Sequence, residues 1–210
     1  IEHLKRTYDY VQLSHAPAIR DVREFIWAGW EARVRYTYQM DLSDLEALWD
    51  GIARGTIHVV GTDHVAYTRE EKLDPSQTVA QHRAGMSNLQ VMLPMLYSEG
   101  VRPGRITLER FVEVTSTNPA KLFGLYPRKG TIAVGSDADL VVWDPEETRM
   151  IRNEEMLSNS RYSIHAGTVV TGWPTLTLRR GEVVYRDGEV VGAPGSGELL
   201  RRARWQDPDL

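Results

Sequence analysis

The sequence predicts an α/β chain in two unlike parts. Over residues 1–126, helical and extended patterns alternate as in a parallel α/β protein. From Gly130 the pattern changes to short β segments that read as an antiparallel sheet or sandwich. Within that second part, Asp187-Gly188 between two β-branched runs is a strong hairpin signal.

The elements follow in order. Ala18 to Val34 reads as a helix carrying Phe25, Ile26 and Trp30, and Tyr36 to Met40 as a strand or a loop. Ser43 to Ala53 is the clearest helix. Ser43 and Glu46 have capping-box spacing, so each can satisfy a free N–H of the first turn. Leu45, Leu48, Trp49 and Ile52 share one face, and Gly55 supplies the stop. Thr56 to His64 follows with a β-branched centre and the length of a buried strand. Ser87 and Gln90 repeat the capping-box spacing ahead of Leu89, Met92, Leu93 and Leu96, with a kink predicted at Pro94. Thr107 can cap a third helix through Phe111 and Val112. Asn118 reads as the cap of a fourth, with Pro119 at its first helical position, where the missing N–H costs nothing.

In the second part, Thr131 to Val134 and Leu140 to Trp143 read as strands. Further strands are Gly167 to Thr171, Trp173 to Leu178, Glu182 to Tyr185 and Glu189 to Val191. Ala193 to Leu210 carries Pro, Gly and Arg, and little regular structure is expected there.

Composition excludes several classes. The chain has 210 residues, 25 Lys+Arg, 29 Asp+Glu and a net charge of −4. That length is short for a complete (β/α)₈ barrel with a further domain, since the barrel alone takes about 250 residues. A mildly acidic balance argues against nucleic acid or an anionic membrane as partner, because both attract basic patches. No cysteine means no disulfide, no thiolate nucleophile and no Cys-ligated zinc. This fits a reducing compartment, and a cytoplasmic location is expected. No apolar run approaches the roughly 18 residues of a membrane span.

Asp63 is the first candidate for chemistry, because it ends the strongest strand pattern. In parallel α/β barrels the active site lies at that end of the strands. A carboxylate there can bind a metal or move a proton; it can equally cap a turn. His58, His64 and His82 lie near it in sequence, but H-x-H and H-E-x-x-H patterns are absent, so each reads as structural rather than as a ligand. Ser87 and Thr115-Ser116-Thr117 have no G-x-S-x-G setting and read as caps or turns.

Two stretches carry a family resemblance. One runs from Ala47-Leu48-Trp49-Asp50-Gly51 to Val59-Val60-Gly61-Thr62-Asp63-His64. The other runs from Leu93-Pro94-Met95-Leu96-Tyr97 through Phe111 to Lys121 and Leu125 to Gly130, ending at Gly135-Ser136-Asp137-Ala138-Asp139-Leu140-Val141-Val142-Trp143-Asp144-Pro145. Together they resemble the C-terminal half of the cyclic amidohydrolases, the hydantoinases and dihydropyrimidinases of the amidohydrolase superfamily. The resemblance implies that residues 1–126 are the last βα units of a (β/α)₈ TIM-like barrel. It implies that 127–192 belong to a small β-sandwich domain and that the tail 193–210 reaches a neighbouring subunit of a homo-oligomer, a tetramer or dimer.

The resemblance also implies a binuclear centre of two divalent metal ions, usually zinc. Its ligands are an H-x-H pair, a carboxylated lysine, two further histidines and one aspartate on the eighth strand. Only the aspartate maps here, onto Asp63. The other ligands are expected upstream of Ile1, in a longer protein. In the family a metal-bridging hydroxide attacks the ring amide carbonyl, with the aspartate as metal ligand and general base, then acid.

Ala84-Gly85 stand where the family has an Asn-Gly loop that touches the cyclic imide through its backbone, and both are carried over as substrate-binding positions. Gln90-Val91-Met92 replace the Glu-Asp-Arg that follows it in many members. The implied activity is metal-dependent hydrolysis of a cyclic amide or imide C–N bond of the hydantoin or dihydropyrimidine type. The alternatives are a metal-free hydantoinase-like scaffold, or another branch such as allantoinase, dihydroorotase or an amino-acylase.

Overall fold

The computed structural model describes residues 45–77 and 85–201. The readings for 18–34 and 36–40, the Ser43 cap, His82, Ala84 and the tail from 202 lie outside them. The described residues belong to one compact unit, Leu42–Leu210.

Helix α1 (Leu45–Arg54) forms where the apolar spacing places it, burying Ile52. Gly55 ends it at φ +85°, its amide bonded to the Ile52 carbonyl at 3.2 Å. The following stretch is not the expected strand. Residues 58–63 carry no ladder, although the Val60 amide donates to the Val114 carbonyl at 3.0 Å. A single parallel bridge, His64 with Met86, marks where sheet pairing is reached. β-branched residues bias a segment towards extended backbone, but a strand also needs a neighbour's donors and acceptors.

Helix α2 (Arg69–Lys72) carries a full capping box between Thr68 and Glu71. The next helical run is compound: a 3₁₀ turn (Leu89–Val91), α3 (Met92–Leu96) and a π turn (Tyr97–Val101). Pro94 falls within the first turn of α3, where its missing N–H removes no helical bond. Ser87 is not the cap expected. Its hydroxyl is paired with Ser160 instead, and the cap position belongs to Asn88, which makes no side-chain capping bond.

Thr107 caps α4 (Leu108–Val112), its hydroxyl accepting from the Arg110 amide at 3.1 Å. A π turn (Glu113–Thr117) then runs directly into α5 (Asn118–Leu122). Asn118 therefore caps nothing: the backbone is already helical at Thr117, and the Asn118 side-chain Nδ2 instead donates to the His58 carbonyl at 3.0 Å. Within this run the Thr115 hydroxyl donates to the Phe111 carbonyl at 2.7 Å.

The β part is an antiparallel meander in the order β1–β2–β3–β4. Its strands are β1 (Leu140–Met150), β2 (Val169–Arg179), β3 (Glu182–Arg186) and β4 (Glu189–Val190). β1 runs longer than expected, and the two segments read across 167–178 form one strand. The register of β1 on β2 slips between Asp144 and Thr148. There the Asp144 carboxylate accepts from the Glu146 and Glu147 amides, an Asx turn that accommodates Pro145. Asp187 (φ +49°) and Gly188 (φ +96°) make the tight turn between β3 and β4, as the left-handed conformations of both require. Thr131 to Val134 is not a strand. Ile132 and Val134 are 87% and 108% exposed, and the segment forms turns with no strand beside it.

Two apolar clusters sit on either side of the compound helix. Ile52, Leu96, Ile106, Phe111 and Val114 form the first, with Trp49, Leu93 and Tyr97 against it. Val91, Ile151, Met156, Val170 and Trp173 form the second, with Met95 against it. Leu93, Leu96 and Tyr97 thus face one cluster while Val91 and Met95 face the other, which fixes the helix between α1 and the sheet. Gly100 allows the closest approach: a Cβ there would lie 2.6 Å from the Trp49 ring. Tyr97, Phe111 and Trp143 stack in tilted and edge contacts with centroids 5.2–6.0 Å apart. Among the described residues no helix is long and apolar enough to cross a membrane.

Candidate functional site

The site is built where the stretch after α1 meets the segment before the 3₁₀ turn. Asp63 takes a left-handed conformation, φ +47°, which a short polar side chain tolerates better than most. Its carboxylate is exposed, and no hydrogen bond or ion pair holds it among the described residues. The chain then turns back into register with Met86. The Val65 amide donates to the Met86 carbonyl at 3.1 Å.

Gly85 lies directly alongside. A Cβ built on it would sit 2.2 Å from Val65 Cγ2 and 3.6 Å from the Asp63 carbonyl oxygen. Its φ of +106° is one that L side chains rarely adopt. The Lys72 ammonium donates to the Gly85 carbonyl at 2.6 Å, so α2 also holds this loop. The structure therefore brings together Asp63 and Gly85, and Ala84 lies outside the described residues.

His64 joins the two segments through its ring. The amides of Asn88 and Leu89, at the start of the 3₁₀ turn, point to Nδ1 at 3.2 and 3.3 Å. Nδ1 is therefore the acceptor, and Nε2 carries the proton and donates to the Ser158 hydroxyl at 3.2 Å. Below it the buried hydroxyls of Ser87 and Ser160 meet at 2.5 Å. Gln90 completes the join: its amide donates to the Glu155 carbonyl and accepts from the Leu157 amide, both at 2.9 Å.

These contacts decide what can bind here. Both ring nitrogens of His64 are engaged within the protein, which agrees with its structural reading. Asp63 presents one free, hard oxygen ligand of the kind a divalent cation takes. Among the described residues no group of three or more His, Cys, Asp or Glu is placed to hold a metal ion. Among these residues Asp63 could supply at most one such ligand.

Sequence reasoning missed Lys72, Asn88 and Ser158. Their contacts reach across 13, 24 and 94 positions of chain, and no local spacing signals them. The Thr68-x-x-Glu71 box that sets α2, and with it Lys72, was a readable signal.

Comparison with known proteins adds the wider setting. The model of the Amidohydrolase family matches residues 41–184. A D-phenylhydantoinase of Escherichia coli is 39% identical over 171 residues, 81% of this chain and 37% of that protein. Among solved structures, a D-hydantoinase (dihydropyrimidinase) from Thermus sp. is 44% identical, with a TM-score of 0.73 over 77% of this chain and 35% of that one. A dihydropyrimidinase from Brevibacillus agri is 38% identical, with a TM-score of 0.74 over 78% of this chain and 36% of that one. The chain spans little more than a third of the length of the relatives it matches. Their likeness bears out the expected fold class, the C-terminal part of a TIM-type barrel followed by β strands.

Proposed function

The chain belongs to the amidohydrolase family, and on that premise we propose that the whole protein hydrolyses the C–N bond of a cyclic amide of the hydantoin or dihydropyrimidine type. The observation that supports this is the juxtaposition of Asp63 and Gly85. The backbone of Asp63, whose carboxylate is exposed, lies against the Gly85 loop beside the His64–Met86 bridge.

In this reading Asp63 is the ligand that this chain contributes to a pair of divalent metal ions, expected to be zinc. When bound, the pair supplies an acidified water and a polarised carbonyl. Asp63 Oδ takes the proton that the attacking water loses and returns it to the ring nitrogen as the C–N bond breaks. The backbone at Ala84-Gly85 is read as orienting the ring. Residues 1–126 are read as barrel units, 127–192 as the sandwich segment and 193–210 as a tail reaching the next subunit of a cytoplasmic homo-oligomer.

The test uses the full-length protein. Hydantoin, dihydrouracil, allantoin and dihydroorotate are assayed with and without chelator, and bound metal is measured directly. The expected result is metal-dependent ring opening of one of the first two, abolished by Asp63→Ala. Wild-type turnover in that variant sinks the assignment. Negligible bound metal in the intact protein sinks the metal mechanism.

A further inference from the structure

We propose that His64 is a positioning residue for this reaction: it fixes the Asp63 carboxylate and the Gly85 backbone in register by capping the helical turn that follows the Gly85 loop. The proposal rests on the functional reading above and concerns a residue which that reading leaves without a role.

Three features of the structure carry it. First, the 3₁₀ turn Leu89–Val91 begins with amides that its own cap residue does not satisfy, since Asn88 makes no side-chain capping bond. His64 Nδ1 accepts from both the Asn88 and Leu89 amides instead. A turn whose first N–H groups are met from another segment is tied to that segment. Secondly, His64 is the residue after Asp63, so the tie acts one peptide away from the carboxylate. The Asp63 backbone is in the left-handed region, which persists where the surroundings hold it. The bond from the His64 amide to the Thr62 hydroxyl at 3.2 Å closes the same turn.

Thirdly, Nε2 is anchored in turn. Its bond to Ser158 sets the ring plane and the tautomer that leaves Nδ1 free to accept. Ser158 lies in the segment between β1 and β2, which Gln90 and the buried Ser87–Ser160 pair also grip. The β part thereby orients the ring, and the ring orients the two halves of the site. The imidazole touches neither substrate nor metal in this arrangement, because both its nitrogens are spent on protein groups.

The geometry gives a test with a built-in rescue. In Asn the side-chain oxygen occupies nearly the place of Nδ1, whereas in Gln the amide reaches the place of Nε2. In the full-length protein His64→Ala and His64→Gln are expected to lower kcat about 10- to 100-fold, the usual effect of removing a supporting group. His64→Asn, which keeps the acceptor for Asn88 and Leu89, is expected to recover most of that loss, with KM little changed throughout. Ser158→Ala should fall between wild type and His64→Ala.

A readout independent of activity is amide hydrogen exchange at Val65, Asn88 and Leu89. Exchange should accelerate in His64→Ala and return towards wild type in His64→Asn. Unchanged exchange in His64→Ala, or an Asn variant no better than Ala, overturns the proposal. Failure of the functional reading shows separately, as a wild-type protein that opens no cyclic amide; the exchange arm still decides whether His64 holds the two segments together.

Discussion

The Arg110 guanidinium of α4 holds the Ile52 carbonyl of α1 through Nε at 2.6 Å. Its Nη2 reaches the Ile57 carbonyl at 2.9 Å, and its Nη1 pairs with Glu113 at 2.7 Å. One side chain, 15% exposed, thus meets a carbonyl near the end of α1, which it shares with the Gly55 amide, and another in the stretch leading to Asp63. A cation at a helix C-terminus also complements the helix dipole.

Arg110→Ala is expected to destabilise the protein by about 1.5–3 kcal/mol, the range for hydrogen bonds to a charged group. Arg110→Lys should not restore it, because a single ammonium cannot serve three directions set by a planar fork. Urea unfolding at neutral pH measures both. A lysine variant as stable as wild type would mean that charge alone, not the fork geometry, makes the tie.

Gly85→Ala should cost about 1–3 kcal/mol, the range for forcing extra volume into a packed place. The new methyl would have to displace Val65, whose Cγ2 lies 2.2 Å away, from a backbone at φ +106°. Because Val65 follows Asp63 and His64, turnover should fall along with stability. Thermal unfolding and kcat measured together check this, and an alanine variant matching wild type in both would contradict the close approach of the two segments.

Asp63→Asn should behave in the opposite way. The carboxylate is exposed and unpaired among the described residues, so the metal-free protein should unfold within about 0.5 kcal/mol of wild type. Turnover should nonetheless fall about 10²- to 10⁴-fold, the usual contribution of a positioned general base. A variant that loses stability as much as activity would recast Asp63 as a structural residue.

How far the sequence could be read depended on the reach of each interaction. Helix α1, its stop at Gly55, the Thr107 cap and the Asp187-Gly188 turn rest on groups within four residues of each other, and each formed where the pattern placed it. Thr56 to His64 and Thr131 to Val134 have strand composition yet form no ladder, because pairing depends on what lies beside them. Ser87 and Asn118 have good cap chemistry, but Ser160 and the His58 carbonyl compete for their side chains. At the site, position along the strand pattern singled out Asp63, and family likeness added Gly85. That they lie together, and that Arg110, Lys72 and His64 hold them there, depends on contacts made only after folding.

The link from the helices to β1 depends on pH in a direction that can be worked out. Lys129 bonds Asp139 and, at 2.9 Å, Asp137, which Arg128 also reaches at 2.9 Å. The hydrogen bond from Lys129, with Arg128 adding to it, holds the Asp137 carboxyl below its ordinary value. Burial works against the charge of Asp139, but the bonds from Lys129 and the Arg180 amide outweigh it and that carboxyl is lowered too. Burial likewise opposes the Lys129 charge, and the bonds to Asp139 and Asp137 leave it raised.

The lowered carboxylates contribute stability above their unfolded values and lose it as pH falls through the folded ones. The raised lysine contributes below its unfolded value and loses it as pH rises through the folded one. The tie is therefore at full strength between about pH 3.9 and 10.4, the ordinary Asp and Lys values. The stability difference between wild type and Lys129→Met should be flat across that window. It should shrink on both sides, with the acid loss continuing below the ordinary Asp value as the lowered carboxylates protonate. A difference that begins to shrink between pH 5 and 8 would show that another group controls the link.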